Sequence, residues 1–577
     1  MTVNVRWHAL LSVLVIVTSL LGACVGNGAP AAGEAVVDQP AAAEQAAAPA
    51  LPEGAADEQV LHMAVDSGPG NGPVPGLDFG VAGLPGATYW SLMHVDGNGE
   101  FVPGLATNFD VNAEQTEFIY HLDPAAVWSD GEPLTAQQIV DWYNFIWSPD
   151  RISGPSASNF NQIKGWVAFQ ERRADTLEGV VAVDDQTLQI TLEKPGPSFR
   201  YSMATIYAAP GRVEQYADVV KGVEAGKAQY EAMSQVWMGD NAANLIVSGP
   251  FKFETMRPEP EGVYNFVVNP NWWGAPPKLT RIENITMRDH QTFSLMFENE
   301  ELDLAYVVGP AAVNLRKMMP DVFKEKKVWA FFSMFFYTDR EPSDDLNLRK
   351  ALLHAIEWEK VAQVAWEGEQ PPVENGQTMP PGMNCRPDDW APYPFDLVKA
   401  KEYLAQSNYG PDGSNVPKIR MRLETDAPRQ RASQIIAEMW RTNLGIENIE
   451  MHQEETEFTE GAETIAIRTA SSGAAFPDPG VWLGNVFRTG TWTVDNGTHY
   501  RTDEWDTEID EIRSMDPTSA GYCQAVQDFY QKTLDQALLI PMAYIKSWRQ
   551  EQPWLMNFEE SQVSNYYNMQ DVWIAAH

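Results

Sequence analysis

Apolar and polar residues alternate with period two over EFIYHL (117–122) and QTLQITL (186–192), the second placing Leu188, Ile190 and Leu192 on one side. Such alternation predicts half-buried strands. Between them the period lengthens: Ile139, Val140, Tyr143 and Ile146 recur at helical spacing behind Thr135 and Gln138, the two residues of a capping box. Farther on, helical patterns dominate. Residues 345–366 put Leu348, Leu352, Ala355 and Ile356 on one face; 396–406 open at Asp396 and give way to Gly410; 428–444 carry Ile435, Ile436, Met439 and Trp440 and stop at Gly445. The runs 418–423 and 446–451 flank that last helix as strands. Strands alternating with helices of this size predict an α/β body, with no internal repeat at a fixed period.

The N-terminus follows a different pattern. Arg6 precedes an apolar run from Leu10 to Leu21, then Gly22 and Ala23 stand before Cys24. The run is short for a membrane span, which needs ~20 residues. Residues 1–23 are therefore expected to be a lipoprotein signal peptide, with lipidation at Cys24. Residues 24–58 are mostly Ala, Gly, Pro, Glu and Gln with no aromatic residue. That composition cannot offset its ordering entropy, so a disordered tether is expected. The body, residues 59–577, is too long for one core and long enough for two or three lobes.

Charge narrows the partners. Forty Lys and Arg face 79 Asp and Glu, a net of −39. This excludes a nucleic-acid binder, whose phosphates need neutralising, and disfavours contact with an anionic lipid surface except through the N-terminal lipid. The acidity reads as solubility, since net charge describes the surface and not a site. Two cysteines besides Cys24 remain, Cys385 and Cys523, and outside the cytoplasm they can pair. No CxxC, HExxH, GxSxG or Walker-type spacing occurs, so no metal, cofactor or nucleophile is announced. Asp96-Gly-Asn-Gly-Glu100 is followed by Phe101 where a calcium loop needs Gly, so a β-turn is expected. Arg349 reads as an ion-pair residue, and His354, Trp272 and Trp273 as packing residues.

VPGLATNFDVNAEQTEFIYHLDPAAVWSDGEPLTAQQIVDWYNF, residues 102–145, resembles the signature of the family 5 extracytoplasmic solute-binding proteins of ABC importers, which include oligopeptide-, dipeptide- and nickel-binding proteins. VSGPFKFE (247–254), NPNWWGAPPKLTRIENITM (269–287), NLRKALLHAIEWEKV (347–361), FDLVKAKEYLAQSNYG (395–410), THYRTDEWDTEID (498–510) and IPMAYIKSW (540–548) follow in the family's order. The resemblance implies a fold like that of type II periplasmic binding proteins: two large α/β lobes joined by a hinge, and a third, inserted lobe. Projected here, the first lobe is 59–94 with 198–333 and 546–577, the inserted lobe 95–197 and the second lobe 334–545. It further implies a monomer that is not an enzyme, is held outside the cytoplasm by its lipid (periplasm or outer cell surface), encloses a small solute between the large lobes and serves an ABC permease with its ATPases.

The resemblance also points to the ligand site. In peptide-binding members the stretch matching RTASSGAAFPDPGVWL (468–483) reads Trp-x-Ala-Asp-Tyr-x-Asp/Glu-Pro, its first Asp holding the ligand's ammonium group. Here that position is Ala475 and the Trp position is Ser472, while Phe476 and Asp478-Pro479 persist. The implied ligand-binding set is Ser471, Ser472, Gly473, Ala474, Ala475 and Phe476, with Tyr544 from the 540–548 segment. An ammonium beside Ala475 would lack a partner, so a neutral, hydroxyl-rich, sugar-like solute is favoured and simple di- and tripeptides are expected to bind poorly, peptide remaining open. Two other classes compete: a cell-surface glycan-acting enzyme, which would need two carboxylates about 5–10 Å apart, and a sensory or adhesive lipoprotein on the same fold.

Overall fold

The computed structural model describes residues 50–577 apart from 66–73, 78–83, 85, 152–158, 258–260, 287–288, 327, 425, 454–464, 475, 560 and 562–568. The signal peptide, Cys24 and most of the tether lie outside the described residues, as does Ala475. Among the described residues no helix is long and apolar enough to cross a membrane, and no group of His, Cys, Asp and Glu is arranged to hold a metal ion.

Three sheets organise the chain. A seven-stranded mixed sheet runs in the order Phe323–Lys326, Ser547–Glu551, Leu304–Ala305, Val60–Val65, Arg281–Thr286, Val263–Val268, Phe251–Arg257. A five-stranded sheet runs Ile449–Gln453, Ile419–Leu423, Ile467–Ala474, Trp329–Phe336, Leu539–Tyr544. A four-stranded antiparallel sheet, Ala106–Val111, Glu117–Leu122, Thr187–Thr191, Val180–Asp184, contains both alternating runs of the sequence.

Burial explains the difference in pattern. Glu117–Leu122 buries every second residue, as a sheet with one wet face requires. Trp329–Phe336, WAFFSMFF, is apolar almost throughout because both its faces are covered. Phe332, Met334 and Phe336 pack on one side with the helices around 346–365 and 427–444. Phe331 and Phe335 pack on the other with Trp482, Phe529 and Tyr530. The seven- and four-stranded sheets share one continuous core, whereas the five-stranded sheet has its own two. Among the described residues a small cluster, Val95, Ala204, Phe476 and Val481, mixes the two bodies. The expected lobe boundary at 333/334 falls inside the strand Trp329–Phe336, because the apolar run enters the five-stranded sheet at Trp329.

The signature turn is structural. Trp128 is fully buried and its indole N–H donates to Gln138 Oε1 at 2.9 Å. The same oxygen accepts from the Thr135 N–H, closing the capping box of the helix Ala136–Ile146. Gly131 has φ +89° and supplies the left-handed turn before it. Asp96–Glu100 closes the hairpin between Met93–Val95 and Phe101–Pro103 through the Gly99 N–H to Asp96 C=O.

The stretch expected as one helix over 345–366 is two, Leu346–His354 and Trp358–Ala365. The carbonyls at the break are satisfied from outside: the Trp440 indole donates to Leu352 C=O and the Asn443 amide to Ala355 C=O, each at 2.9 Å. Among the described residues Arg349 makes no ion pair; it is buried and donates to the carbonyls of Ser343, Asp344 and Gln536. His354 is packed, its ring stacked on Tyr403 and Nδ1 2.9 Å from Pro394 C=O. Cys385 and Cys523 are joined in a disulfide, Cα–Cα 4.9 Å, tying the loop around 385 to the helix Tyr522–Asp535.

Candidate functional site

The chain crosses between the two larger sheets at two adjacent places. Phe323–Lys326 of the seven-stranded sheet leads into Trp329–Phe336 of the other, and Leu539–Tyr544 leads back into Ser547–Glu551. The crossings stay paired on both sides, Lys326 opposite Ser547 and Phe331 opposite Tyr544. The Ile545 N–H donates to Ala330 C=O between them at 2.9 Å. A third segment braces the second crossing: the Gln370 side-chain amide donates to Lys546 C=O at 3.0 Å and accepts the Lys546 N–H at 2.6 Å.

Beside these crossings, between the two sheets, lies a cleft of about 1120 Å³. The seven-stranded body supplies residues 289–291, 307–311 and Trp548; the other supplies Phe332, residues 366–367 and 369–370, 424, 426–429 and 431, and Arg468. Its wall carries five carboxylates (Asp289, Glu367, Glu369, Glu424, Asp426) and four fixed cations (Arg429, Arg431, Arg468, Lys546). In a chain with 79 acids against 40 bases, this wall is close to charge balance.

Local structure positions each group. Asp289 caps the helix His290–Glu298, and Asp426 caps Ala427–Leu444 by accepting the Arg429 N–H. Arg429 is ion-paired with Glu424 and lies 5.4 Å over the Phe332 ring; burial lowers its pKa. Arg431 is held by two hydrogen bonds to Ala365 C=O. Arg468 donates to Asn496 C=O and covers the Trp492 ring. Lys546 pairs with Glu325 at 3.0 Å and sits 4.5 Å over Trp548. Phe332 and Trp366 stack face to face, centroids 5.2 Å apart and planes 9° apart. The cleft thus offers paired charges of both signs and flat aromatic surface.

The described site residues read from sequence are not part of this wall. Ser471 is exposed opposite Phe332 on the neighbouring strand. Ser472 is buried, its hydroxyl 3.4 Å from that of Thr493. Gly473 and Ala474 pair with Ala330 and Trp329; a Cβ on Gly473 would meet the Ala330 Cβ at 2.5 Å, so close strand approach explains that glycine. Phe476 is buried against Tyr201 of the other body, rings 5.0 Å apart. Two residues on, Asp478 Oδ2 accepts from the Ser198 hydroxyl at 2.5 Å. This segment is therefore a contact between bodies. Tyr544 is 3% exposed, its hydroxyl donating to Gln377 C=O and accepting from Arg386, so it is spent on packing beside the crossing.

Glu367, Glu369, Gln370, Arg429, Arg431 and Lys546 were not singled out by sequence reasoning. AWEGEQPP (365–372) carries a faint signal, an aromatic and two acids in a loop bounded by Gly and Pro, but many surface loops share it.

Comparison with known proteins places this arrangement. The family described as bacterial extracellular solute-binding proteins, family 5 Middle, matches residues 100–493. The oligopeptide-binding protein OppA of Bacillus subtilis is 25% identical over 387 residues, 65% of this chain and 67% of that one. The periplasmic oligopeptide-binding protein OppA of Salmonella typhimurium is 22% identical over 517 residues, 84% and 87% of the two chains. Among solved structures, the murein tripeptide binding protein MppA of Escherichia coli superposes over 91% of this chain and 100% of its own, with TM-score 0.76 and 20% identity. The fold is that of the type II periplasmic binding proteins.

Proposed function

The chain belongs to the bacterial extracellular solute-binding proteins of family 5, and on that premise we propose that it captures a peptide-like, zwitterionic solute in the cleft between its two larger sheets and hands it to an ABC permease driven by its ATPases. It binds and releases this solute unchanged. The observation that carries the reading is the composition of the cleft wall, five carboxylates with four fixed cations around stacked aromatic rings. A neutral sugar gives such charges nothing to pair with. A peptide brings an ammonium and a carboxylate, and its desolvated ends need partners of both signs. Two relatives, both oligopeptide-binding proteins, support the same class. This shifts the balance away from the neutral solute suggested by Ala475.

The working arrangement is a lipid anchor at Cys24, a tether over 24–58 and a monomeric body outside the cytoplasm. Two lobes hinge at the crossings, which follow the strands ending at Lys326 and Tyr544, and the inserted four-stranded lobe rides with the first. Titration calorimetry of the purified body against a tri- to pentapeptide mixture and an oligosaccharide set tests the ligand class. Heat of binding with the peptides is expected; saturable binding of an oligosaccharide alone would overturn it. For the anchor, Cys24→Ser is expected to release the protein from the membrane fraction or leave its signal peptide uncleaved.

A further inference from the structure

Five carboxylates face the cleft; three are held by partners of their own and a fourth is exposed. Asp289 and Asp426 accept backbone N–H groups at helix starts. Glu424 is ion-paired with Arg429, and Glu367 stands exposed to water. Glu369 differs. Its side chain is 12% exposed, and it lines both the cleft and a second cavity of about 320 Å³. Among the described residues its one ion-pair partner, Arg316 on the helix Gly309–Met318, reaches Oε1 at 3.3 Å. That guanidinium is held 4.5 Å over each of the rings of Phe323 and Trp548. Oε2 of Glu369 accepts no hydrogen bond among the described residues.

A carboxylate so placed is short of positive charge. Burial pushes it above the usual carboxylate range; Arg316 opposes this and Glu367 adds to it. We propose that Glu369 receives the amino group of the bound solute, the solute being a peptide with a free N-terminus. This deepens the peptide reading of the cleft and rests on it. It moves the amino-group contact from sequence position 475, where the chain has alanine, to the loop beside the crossings. An ammonium there completes the pairing that Arg316 leaves half made, and a charge-assisted hydrogen bond out of water is among the stronger single contacts a ligand can gain.

Calorimetry with trialanine and N-acetyl-trialanine on the purified body tests this. The wild-type protein is expected to prefer the free amine by about tenfold or more. Glu369→Gln keeps the shape of the side chain and is expected to lose that preference by weakening trialanine alone; Glu369→Asp is expected to keep part of it. A preference unchanged in Glu369→Gln overturns the proposal while leaving the peptide reading intact. Equal weakening of both ligands also overturns it, showing that Glu369 acts through Arg316 on the crossing. A wild-type protein that binds neither peptide but binds an oligosaccharide overturns the peptide reading, and the proposal with it.

Discussion

His94 shows how one buried side chain makes the stability of the body depend on pH. It lies in the hairpin strand Met93–Val95, 3% exposed, its ring edge-on to Trp90 at 4.6 Å. Burial alone drives its pKa down to about 3. An unfolded chain takes that proton near the ordinary histidine value, the folded chain only near 3, so its contribution is whole above ~6.5 and is lost as pH falls through that window. Between pH 7 and 5 the loss is about 2 kcal/mol, at roughly 1.4 kcal/mol per pH unit. His62, raised by its hydrogen bond to Asp303, works in the opposite direction, so the comparison needs a variant. Thermal melts at pH 7 and 5 are expected to show a smaller fall for His94→Leu than for the wild type; equal falls would contradict the assignment. None of this was legible in the sequence. His94 stands between Met93 and Val95 like any strand histidine, and its neighbour Trp90 is itself packed against Trp272 and Trp273, which arrive from a distant part of the chain. Glu369 was hidden for the same reason: its environment is supplied by Arg316, Phe323 and Trp548 of the other body.

At the scale of elements, local signals served well where an element is closed by its own neighbours. The Thr135 capping box, the Asp396 cap and the Gly445 stop are all present, the last with φ +71°. Local signals failed where a distant element finishes the job, as in 345–366, which Trp440 and Asn443 divide. Caps therefore make clean local tests. Asp426→Ala removes the acceptor for the Arg429 N–H and one partner of its guanidinium, and is expected to cost about 1–2 kcal/mol, read as a lower melting temperature; no change would mean that Glu424 alone holds that helix start. The disulfide is a larger constraint, because 138 residues separate Cys385 from Cys523. In the chain-entropy account, opening a loop of that length costs about 5 kcal/mol. A Cys385→Ala/Cys523→Ala variant is thus expected to unfold at clearly lower denaturant concentration, and the denatured wild-type body, unreduced, to show no free thiol at these two positions.

At the scale of the whole molecule, the family and its two-bodied architecture were written along the chain, while the cleft wall was not, because it draws on segments from 289 to 548 that only the fold assembles. The segment that sequence comparison marked for the ligand has another use. Away from the crossings, Phe476 stacks on Tyr201, Asp478 accepts from Ser198, and Arg513 donates to Asn161 at 3.3 Å. These contacts join the five-stranded body to the other two sheets, and they exist while the bodies are together. A two-lobed trap binds tightly in proportion to how well its closed state is populated, since a ligand that needs closure loses affinity by the fraction of molecules that can close. Phe476→Ala removes a stacked pair together with its buried area, of order 1–3 kcal/mol, and spends that loss on the closed state without touching the solute. The expected result is about tenfold weaker binding, each 1.4 kcal/mol being tenfold, and the same factor for free and N-acetylated peptides. Small-angle scattering supplies the matching readout: the wild-type body should become more compact on saturation with peptide, and the variant should require more peptide to reach the same radius of gyration. Weakening confined to one ligand class would mean that Phe476 touches the solute after all, and a radius of gyration indifferent to saturating peptide in both proteins would remove closure itself from the account.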